Sequence, residues 1–178
     1  MVVSPDFGGM ERNYTYSDEL GIDLGVFYKR RSHTDFSDGN YAIQIHKYFG
    51  PDVKGKDVLI VDDIIASGET VLDVATQLSS MGAKRIFVVS TFGFFTKGTE
   101  KFDEAYRNKT IEAVFITNAS YVSEEITSAP WYQEIDVIKY ISYYIYCVNS
   151  GSSIAKVIDP HKKIQNYLKN VFLIDAVR

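Results

Sequence analysis

Two stretches restrict the fold more than anything else in this chain: Val58-Leu59-Ile60-Val61 and Ile86-Phe87-Val88-Val89, each an unbroken apolar run rich in β-branched side chains. A strand with one wet face alternates polar and apolar residues, whereas a continuous run needs cover on both faces. That is the situation of a central strand in a parallel sheet layered by helices. Met1 to Ser4, Leu24 to Tyr28 and Ala113 to Thr117 add three short runs, followed like the others by turns and amphipathic stretches. The alternation predicts an α/β domain built on a central, mostly parallel sheet flanked by helices.

The clearest helix spans about Glu69 to Met81, with Val71, Val74, Ala75 and Leu78 on one stripe and Gly82 as its stop. A second is expected near Thr99 to Arg107. A third, from about Asp136 to Val148, sets Ile138, Ile141, Ile145 and Val148 on one stripe, with Tyr140, Tyr143, Tyr144 and Tyr146 on its other sides. Core packing is the plain reading of these tyrosines; a subunit contact, where Tyr is enriched, is the other. Between Lys29 and Asp57 the pattern changes. Ser32 to Asn40 is polar, and then Ile43 and Ile45 alternate with Gln44 and His46, which predicts a mobile loop returning through an exposed β-ribbon, a flap over residues 29–50. A main domain over 1–155 and a C-terminal tail over 156–178, with a short helix around Lys162 to Phe172, complete the expected organisation.

A net charge of -4, with Lys29-Arg30-Arg31 as the dense basic cluster, argues against nucleic-acid binding, which needs a basic face. No stretch reaches the roughly 20 apolar residues of a membrane span. Cys147, the single cysteine, lies in an apolar run and reads as a small core residue, so a reducing, cytoplasmic compartment is expected. Met1-Val2-Val3 leads directly into Ser4-Pro5-Asp6 without the basic and apolar regions of a secretory signal; a sheet that opens at its first residue suggests missing upstream sequence. His33, His46 and His161 have no metal-ligand spacing and read as surface residues. There is no Gly-rich dinucleotide fingerprint and no Walker A lysine pattern.

The chemistry concentrates after the run Val58 to Val61. Asp62-Asp63, three linking residues and Ser67-Gly68-Glu69-Thr70 opening a helix predict strand, acidic turn, phosphate loop and helix in that order. Backbone N–H groups at a loop and helix N-terminus converge on an anion, and the Ser67 and Thr70 hydroxyls can donate to phosphate oxygens. Gly68 lets the backbone approach closely. The carboxylates of Asp62 and Asp63 can accept from vicinal sugar hydroxyls or hold the waters of Mg²⁺. Two strand-end aspartates before a capped helix are also common in α/β proteins of other function.

Asp62-Asp63-Ile64-Ile65-Ala66-Ser67-Gly68-Glu69-Thr70 resembles the phosphoribosyl-binding motif of the type I phosphoribosyltransferase fold. Ser4-Pro5-Asp6-Phe7-Gly8-Gly9 is similar to the diphosphate loop of ribose-phosphate diphosphokinases, and Lys29-Arg30-Arg31 falls where that family carries its mobile basic residues. The resemblance continues through Lys84-Arg85-Ile86-Phe87, Thr91-Phe92-Gly93-Phe94-Phe95, Thr117-Asn118 and Trp131 to Tyr144, covering roughly residues 1 to 155, the C-terminal half of such an enzyme.

The resemblance implies that ribose 5-phosphate is held by Asp62, Asp63, Ala66, Ser67, Gly68, Glu69 and Thr70, and diphosphate by Asp6, Phe7, Gly8 and Gly9. It also implies Mg²⁺ on Asp6, catalysis by Lys29 with Arg31 contacting phosphate, and ATP, ribose 5-phosphate and phosphoribosyl diphosphate as ligands of a homo-oligomer. Ala66 stands where many members have aspartate and Glu69 where they have glycine; a carboxylate there repels phosphate unless it points outward. The family's N-terminal half, with its adenine contacts and a metal-site histidine, is not in this sequence, so poor turnover by this chain alone is expected. A phosphoribosyltransferase consuming phosphoribosyl diphosphate and a catalytically silent regulatory subunit are the alternatives.

Overall fold

A computed structural model describes the backbone of residues 1–37, 40–159 and 161–175, and the side chains of these except 29–46, 156 and 171–175. The chain runs β1 (Val2–Ser4), a 3-10 turn (Phe7–Gly9), α1 (Met10–Leu20), β2 (Leu24–Ser37), β3 (Asn40–Phe49), β4 (Asp57–Ile65), α2 (Glu69–Ser80), β5 (Arg85–Gly93), α3 (Glu100–Arg107) and β6 (Ala113–Thr117). It continues through α4 (Glu124–Thr127), β7 (Tyr132–Ile135), α5 (Ile138–Asn149), α6 (Ala155–Ile158) and α7 (His161–Asp175). The described strands form one sheet in the order β3-β2-β1-β4-β5-β6-β7. Every pairing is parallel except β2 with β3.

The two apolar runs supply the buried centre of the sheet, although Leu59, Phe87 and Val89 within them are only half-buried. Ile60 and Val88 face each other in register across β4 and β5 and are fully buried, with Val58, Val61 and Ile86 beside them. The stripe Val71, Val74, Ala75 and Leu78 of α2 is buried against this centre, and the helix stops before Gly82, whose φ of +87° suits a residue without a side chain. A second layer of core gathers around Trp131, whose ring lies 5.5 Å from Phe95 and 5.2 Å from Phe102. Its indole N–H donates to Asp103 Oδ1 at 2.6 Å, satisfying the polar atom of a buried ring.

The expected strands and helices are present, with five differences. β4 does not end at Val61: it continues through Asp62 and Asp63 to Ile65 because β5 stays in register beside it, with Asp62 opposite Ser90 and Ile65 opposite Gly93. The acidic pair thus sits in extended strand, not in a turn. Ser32 to Ser37, expected as loop, belongs to β2, which pairs antiparallel with β3 up to Ser37 opposite Asn40.

Two elements carried no usable signal. α1, Met10-Glu-Arg-Asn-Tyr-Thr-Tyr-Ser-Asp-Glu-Leu20, has no apolar stripe, and Asn13 is its buried residue. β7 is four residues long and lies at the edge of the sheet. Lastly, the tyrosines of α5 are not core: Tyr140, Tyr143, Tyr144 and Tyr146, with Ile138, Ile141, Ile145 and Val148, are 40% to 63% exposed, while Cys147 is buried as expected. No helix among the described residues is long and apolar enough to cross a membrane.

Candidate functional site

The sheet reverses its order of growth at β1. The chain first moves outward from β1 to β2 and β3, then returns to place β4 on the other side of β1 and continues through β5 to β7. Where neighbouring strands send their connections in opposite directions, a crevice opens beyond their carboxyl ends; ligands of open α/β sheets bind there. Here the crevice is bounded by Asp6 to Gly9 after β1 and Asp62 to Thr70 on and after β4.

The first boundary is held by short-range geometry. Asp6 has extended backbone and its Oδ1 accepts from the Gly9 N–H at 3.2 Å, capping the 3-10 turn. Ser4 Oγ donates to the Asp6 carbonyl at 2.7 Å. The fully buried Asn13 of α1 lies within donor reach of three acceptors: Ser4 Oγ at 3.1 Å, Gly9 O at 2.9 Å and Val61 O at 3.1 Å. One amide therefore joins the loop after β1, the helix that follows and the strand that carries the acidic pair. Phe7 is exposed and packs edge to face on Tyr28 of β2, ring centroids 6.0 Å apart.

The second boundary is the acidic pair and the loop after it. Asp62 is the more enclosed carboxylate, its side chain 20% exposed against 65% for Asp63, and its Oδ1 accepts from the Asp63 N–H at 2.9 Å. Burial pushes the Asp62 carboxyl up to about 6, and its neighbour Asp63 adds to the rise. Burial raises the Asp63 carboxyl, but its hydrogen bond with Asp62 and the guanidinium of Arg12 together outweigh this and hold it below the usual carboxylate range. Arg12, from α1, places Nη1 3.5 Å from Asp63 Oδ1 and 4.0 Å from Asp62 Oδ1. That nitrogen is buried and makes no hydrogen bond among the described residues, so its role here is that of a nearby charge.

Beyond Ile65 the chain turns through Ala66 and Ser67 into Gly68, which has φ +81° and precedes the first residue of α2. The Glu69 N–H points to Ser67 Oγ at 3.5 Å. A methyl at Gly68 would run into the Phe102 ring, so this glycine is required by both its backbone and its neighbour. Glu69 does not stand free in solvent: its Oε1 accepts from Lys97 Nζ at 3.0 Å and Lys101 Nζ at 3.2 Å, and those hydrogen bonds hold its carboxyl below the usual range.

The fold places Asp6, Phe7, Gly8 and Gly9 after the carboxyl end of β1, and Asp62, Asp63, Ala66, Ser67, Gly68, Glu69 and Thr70 at and after the carboxyl end of its parallel neighbour β4. Lys29 and Arg31 lie on the backbone of β2, opposite His46 and Ile43 of β3; their side chains, and those of His33 and His46, lie outside the described residues. His161 contacts Glu19 of α1 at the surface. Arg12, Asn13, Lys97 and Lys101 were not among the expected site residues, since their placement depends on which helices pack beside the crevice. Among the described residues no three His, Cys, Asp or Glu side chains converge to hold a metal ion.

Residues 1–124 match the phosphoribosyl transferase domain family. The chain is 32% identical to a ribose-phosphate pyrophosphokinase of Mycoplasma genitalium over 163 residues, 90% of this chain and 46% of that protein. With the enzyme of the same name from Thermococcus kodakarensis the identity is 41% over 99 residues, 55% of this chain and 32% of that one. The crystal structure of phosphoribosylpyrophosphate synthetase from Mycobacterium smegmatis superposes with a TM-score of 0.70 at 24% identity, covering 85% of this chain and 45% of that one, which shows a common fold. The chain spans about half the length of the curated relatives it matches over most of its own length. With 124 of its 178 residues matched, the chain belongs to the phosphoribosyl transferase domain family.

Proposed function

We propose that this chain is the sugar-phosphate and diphosphate-binding half of a ribose-phosphate diphosphokinase, which converts ATP and ribose 5-phosphate to AMP and phosphoribosyl diphosphate. The observation that carries the reading is the joint placement of the Asp6–Gly9 loop and the Asp62–Thr70 segment at the carboxyl ends of adjacent strands, where the sheet changes direction. In this reading the 5-phosphate lies against Ala66 to Thr70 at the opening of α2, with Ser67 and Thr70 donating to it. Asp62 and Asp63 accept from the ribose hydroxyls, and Asp6 to Gly9 receive the diphosphate.

The donor set suits a hard cation. Asp6 offers a carboxylate just beyond the carboxyl end of β1, and a Mg²⁺ ion, which binds one or two carboxylates and completes its shell with waters and substrate phosphates, would take its protein ligand from Asp6. When bound, the ion would neutralise charge on the polyphosphate. The chain's own part is positioning. With the sugar fixed by its phosphate and its hydroxyls, the anomeric hydroxyl oxygen would stand in line with the β-phosphorus of ATP; a bond forms between them, the hydroxyl proton passes to solvent, the bond from that phosphorus to the α-phosphate oxygen breaks, and AMP leaves with that oxygen. Lys29 and Arg31 would close over the transferred group and offset its negative charge. The reading carries with it a cytoplasmic setting and assembly with further copies.

The test is titration calorimetry of ribose 5-phosphate with the 178-residue chain in Mg²⁺, followed by an assay of AMP formation from ATP. Binding that Asp63→Asn weakens, with feeble AMP formation, is expected; robust turnover by the isolated chain would overturn the claim that it is half an active unit. Diphosphate release that depends on a nucleobase would replace the diphosphokinase with a phosphoribosyltransferase.

A further inference from the structure

Glu69 is a carboxylate at the first position of α2, beside the loop assigned above to a phosphate. Left alone it would oppose a dianion at close range. Its two ammonium partners come from a different part of the chain, and the route by which they arrive is structural. Phe94 N–H donates to the Ile65 carbonyl at 2.8 Å and Thr96 N–H to the Ala66 carbonyl at 2.8 Å, so the connection from β5 to α3 is stitched along the Ala66–Gly68 loop. Phe102, the fully buried residue of α3, closes on Gly68 and is itself held between Phe95, 5.1 Å away, and Trp131. Rigid packing on both sides thus fixes Lys97 at one end of the connection and Lys101, the neighbour of Phe102, at the other.

Both ammonium groups meet the same oxygen of Glu69, and both side chains stay more than half exposed. The cluster of two lysines and one glutamate keeps a net positive charge at the mouth of the loop.

We propose that Lys97 and Lys101 belong to the phosphate subsite, held in reserve on Glu69 and turned to a bound sugar phosphomonoester when it enters. The inference rests on the reading that Ala66 to Thr70 receive the phosphate, and adds its electrostatic control. In the empty site the carboxylate holds the long lysine side chains near the mouth, limiting the conformational freedom they lose on binding. When a dianion arrives, an ammonium exchanges one acceptor for another of higher charge without leaving its place. Glu69 then acts as a brake: it competes for the two lysines and sets how tightly the phosphate is held.

The test measures ribose 5-phosphate binding by calorimetry at low and high ionic strength, with inorganic phosphate as a second probe. The variants are Glu69→Gln, the double variant Lys97→Ala/Lys101→Ala, Asp63→Asn, and Lys56→Ala as a charge control, Lys56 being paired with Asp23 at the amino ends of β4 and β2, the opposite end of the strands from the loop. Glu69→Gln should tighten binding about fivefold at low salt and the double lysine variant weaken it about tenfold, both effects shrinking at high salt. Lys56→Ala should match the wild type. Opposite shifts from opposite charge removals distinguish an electrostatic role from general disturbance of the loop, which would weaken binding in both.

If Asp63→Asn weakens binding but the Glu69 and lysine variants move together, or track Lys56→Ala, this proposal is overturned while the phosphate-loop reading stands. If the wild-type chain takes up neither probe, both fall. The Lys97→Gln/Lys101→Gln pair, which keeps side-chain length, guards against loss of fold in the alanine variant.

Discussion

Asn13 Nδ2 lies 3.1 Å from the main-chain carbonyl of Val61, the residue before the acidic pair, and the same amide reaches Ser4 Oγ and Gly9 O. The three acceptors belong to β1, the loop after it and β4, so one buried side chain ties the two walls together beyond the β1–β4 pairing. Asn13→Leu keeps the volume but leaves buried acceptors without a donor. Loss of such a partner costs about 1–3 kcal/mol. Urea unfolding should show that loss in the midpoint, and ribose 5-phosphate binding should weaken even where the variant is fully folded. Unchanged stability would mean that the amide is replaceable by solvent.

The central strands and α2 were legible because their apolar residues are grouped in the sequence, in the runs Val58 to Val61 and Ile86 to Val89 and on the stripe Val71, Val74, Ala75 and Leu78. The loops at Asp6 and Ala66 to Thr70 were legible because glycine and short polar residues have few other uses at strand ends. α1 was not: its helix is fixed by a polar anchor, Asn13, and a stripe of apolar residues is absent from it. The end of β4 was not, since Asp62 and Asp63 stay extended only because β5 is paired beside them. Nor was the role of Lys97 and Lys101, twenty-eight and thirty-two positions from Glu69. The stripe on α5 misled because apolar periodicity says which face is sticky, not what covers it.

The α5 surface gives a stability prediction of its own. Ile145 and Tyr146 are more than half exposed, whereas Cys147 is buried. Ile145→Ser and Tyr146→Ser should each change the unfolding free energy of this chain by no more than about 0.5 kcal/mol, as surface substitutions do. Cys147→Asp, which buries a charge, should cost more than about 2 kcal/mol. Thermal melts compare the three directly; a large loss at Ile145 would mean that its face is covered.

Gly68 carries a conformational demand and a steric one. Its φ of +81° is unfavourable for any residue with a side chain, and Phe102 fills the space a methyl would need. Gly68→Ala should therefore cost about 2–4 kcal/mol, the sum of left-handed backbone strain and overpacking against an immobile ring. Adding Phe102→Leu should recover only the steric part and leave about 1 kcal/mol of strain. Full recovery in the double variant would show that the backbone conformation is not what requires glycine.

The acidic pair predicts how stability varies with pH. Asp62 titrates at about 6 in the folded protein, above its ordinary 3.8, so between about pH 4 and 6 the folded state binds more protons than the unfolded one. Stability falls as pH rises through that window, and the cost is fully present above it. Asp63 works in the other direction and in a different window: held below its ordinary value, it contributes stability that is lost as pH drops below about 4. Asp62→Asn should remove the first effect. Its unfolding free energy above pH 6 should rise by about 1–3 kcal/mol relative to wild type, the difference vanishing below pH 4, while ribose 5-phosphate binding falls. A variant no more stable than wild type at pH 7 would show that Asp62 is not held at a cost.

Arg12 is the cation that makes this pair tolerable, with Nη1 buried 3.5 Å from Asp63 and 4.0 Å from Asp62. Arg12→Met keeps much of the side chain's length and removes its charge, leaving two adjacent carboxylates with less to offset their repulsion. Both should then titrate higher than in the wild type, and the falling limb of the stability profile should move to higher pH. The loss of stability should be greater at pH 7.5, where both groups must ionise, than at pH 4.5, where Asp62 is protonated. Adding Asp62→Asn to Arg12→Met should recover a large share at pH 7.5 and little at pH 4.5, a coupling that a double-mutant cycle reads at each pH. Equal losses at both pH values, with no recovery in the double variant, would reduce Arg12 to a packing residue of α1 and leave the ionisation of Asp62 to burial alone.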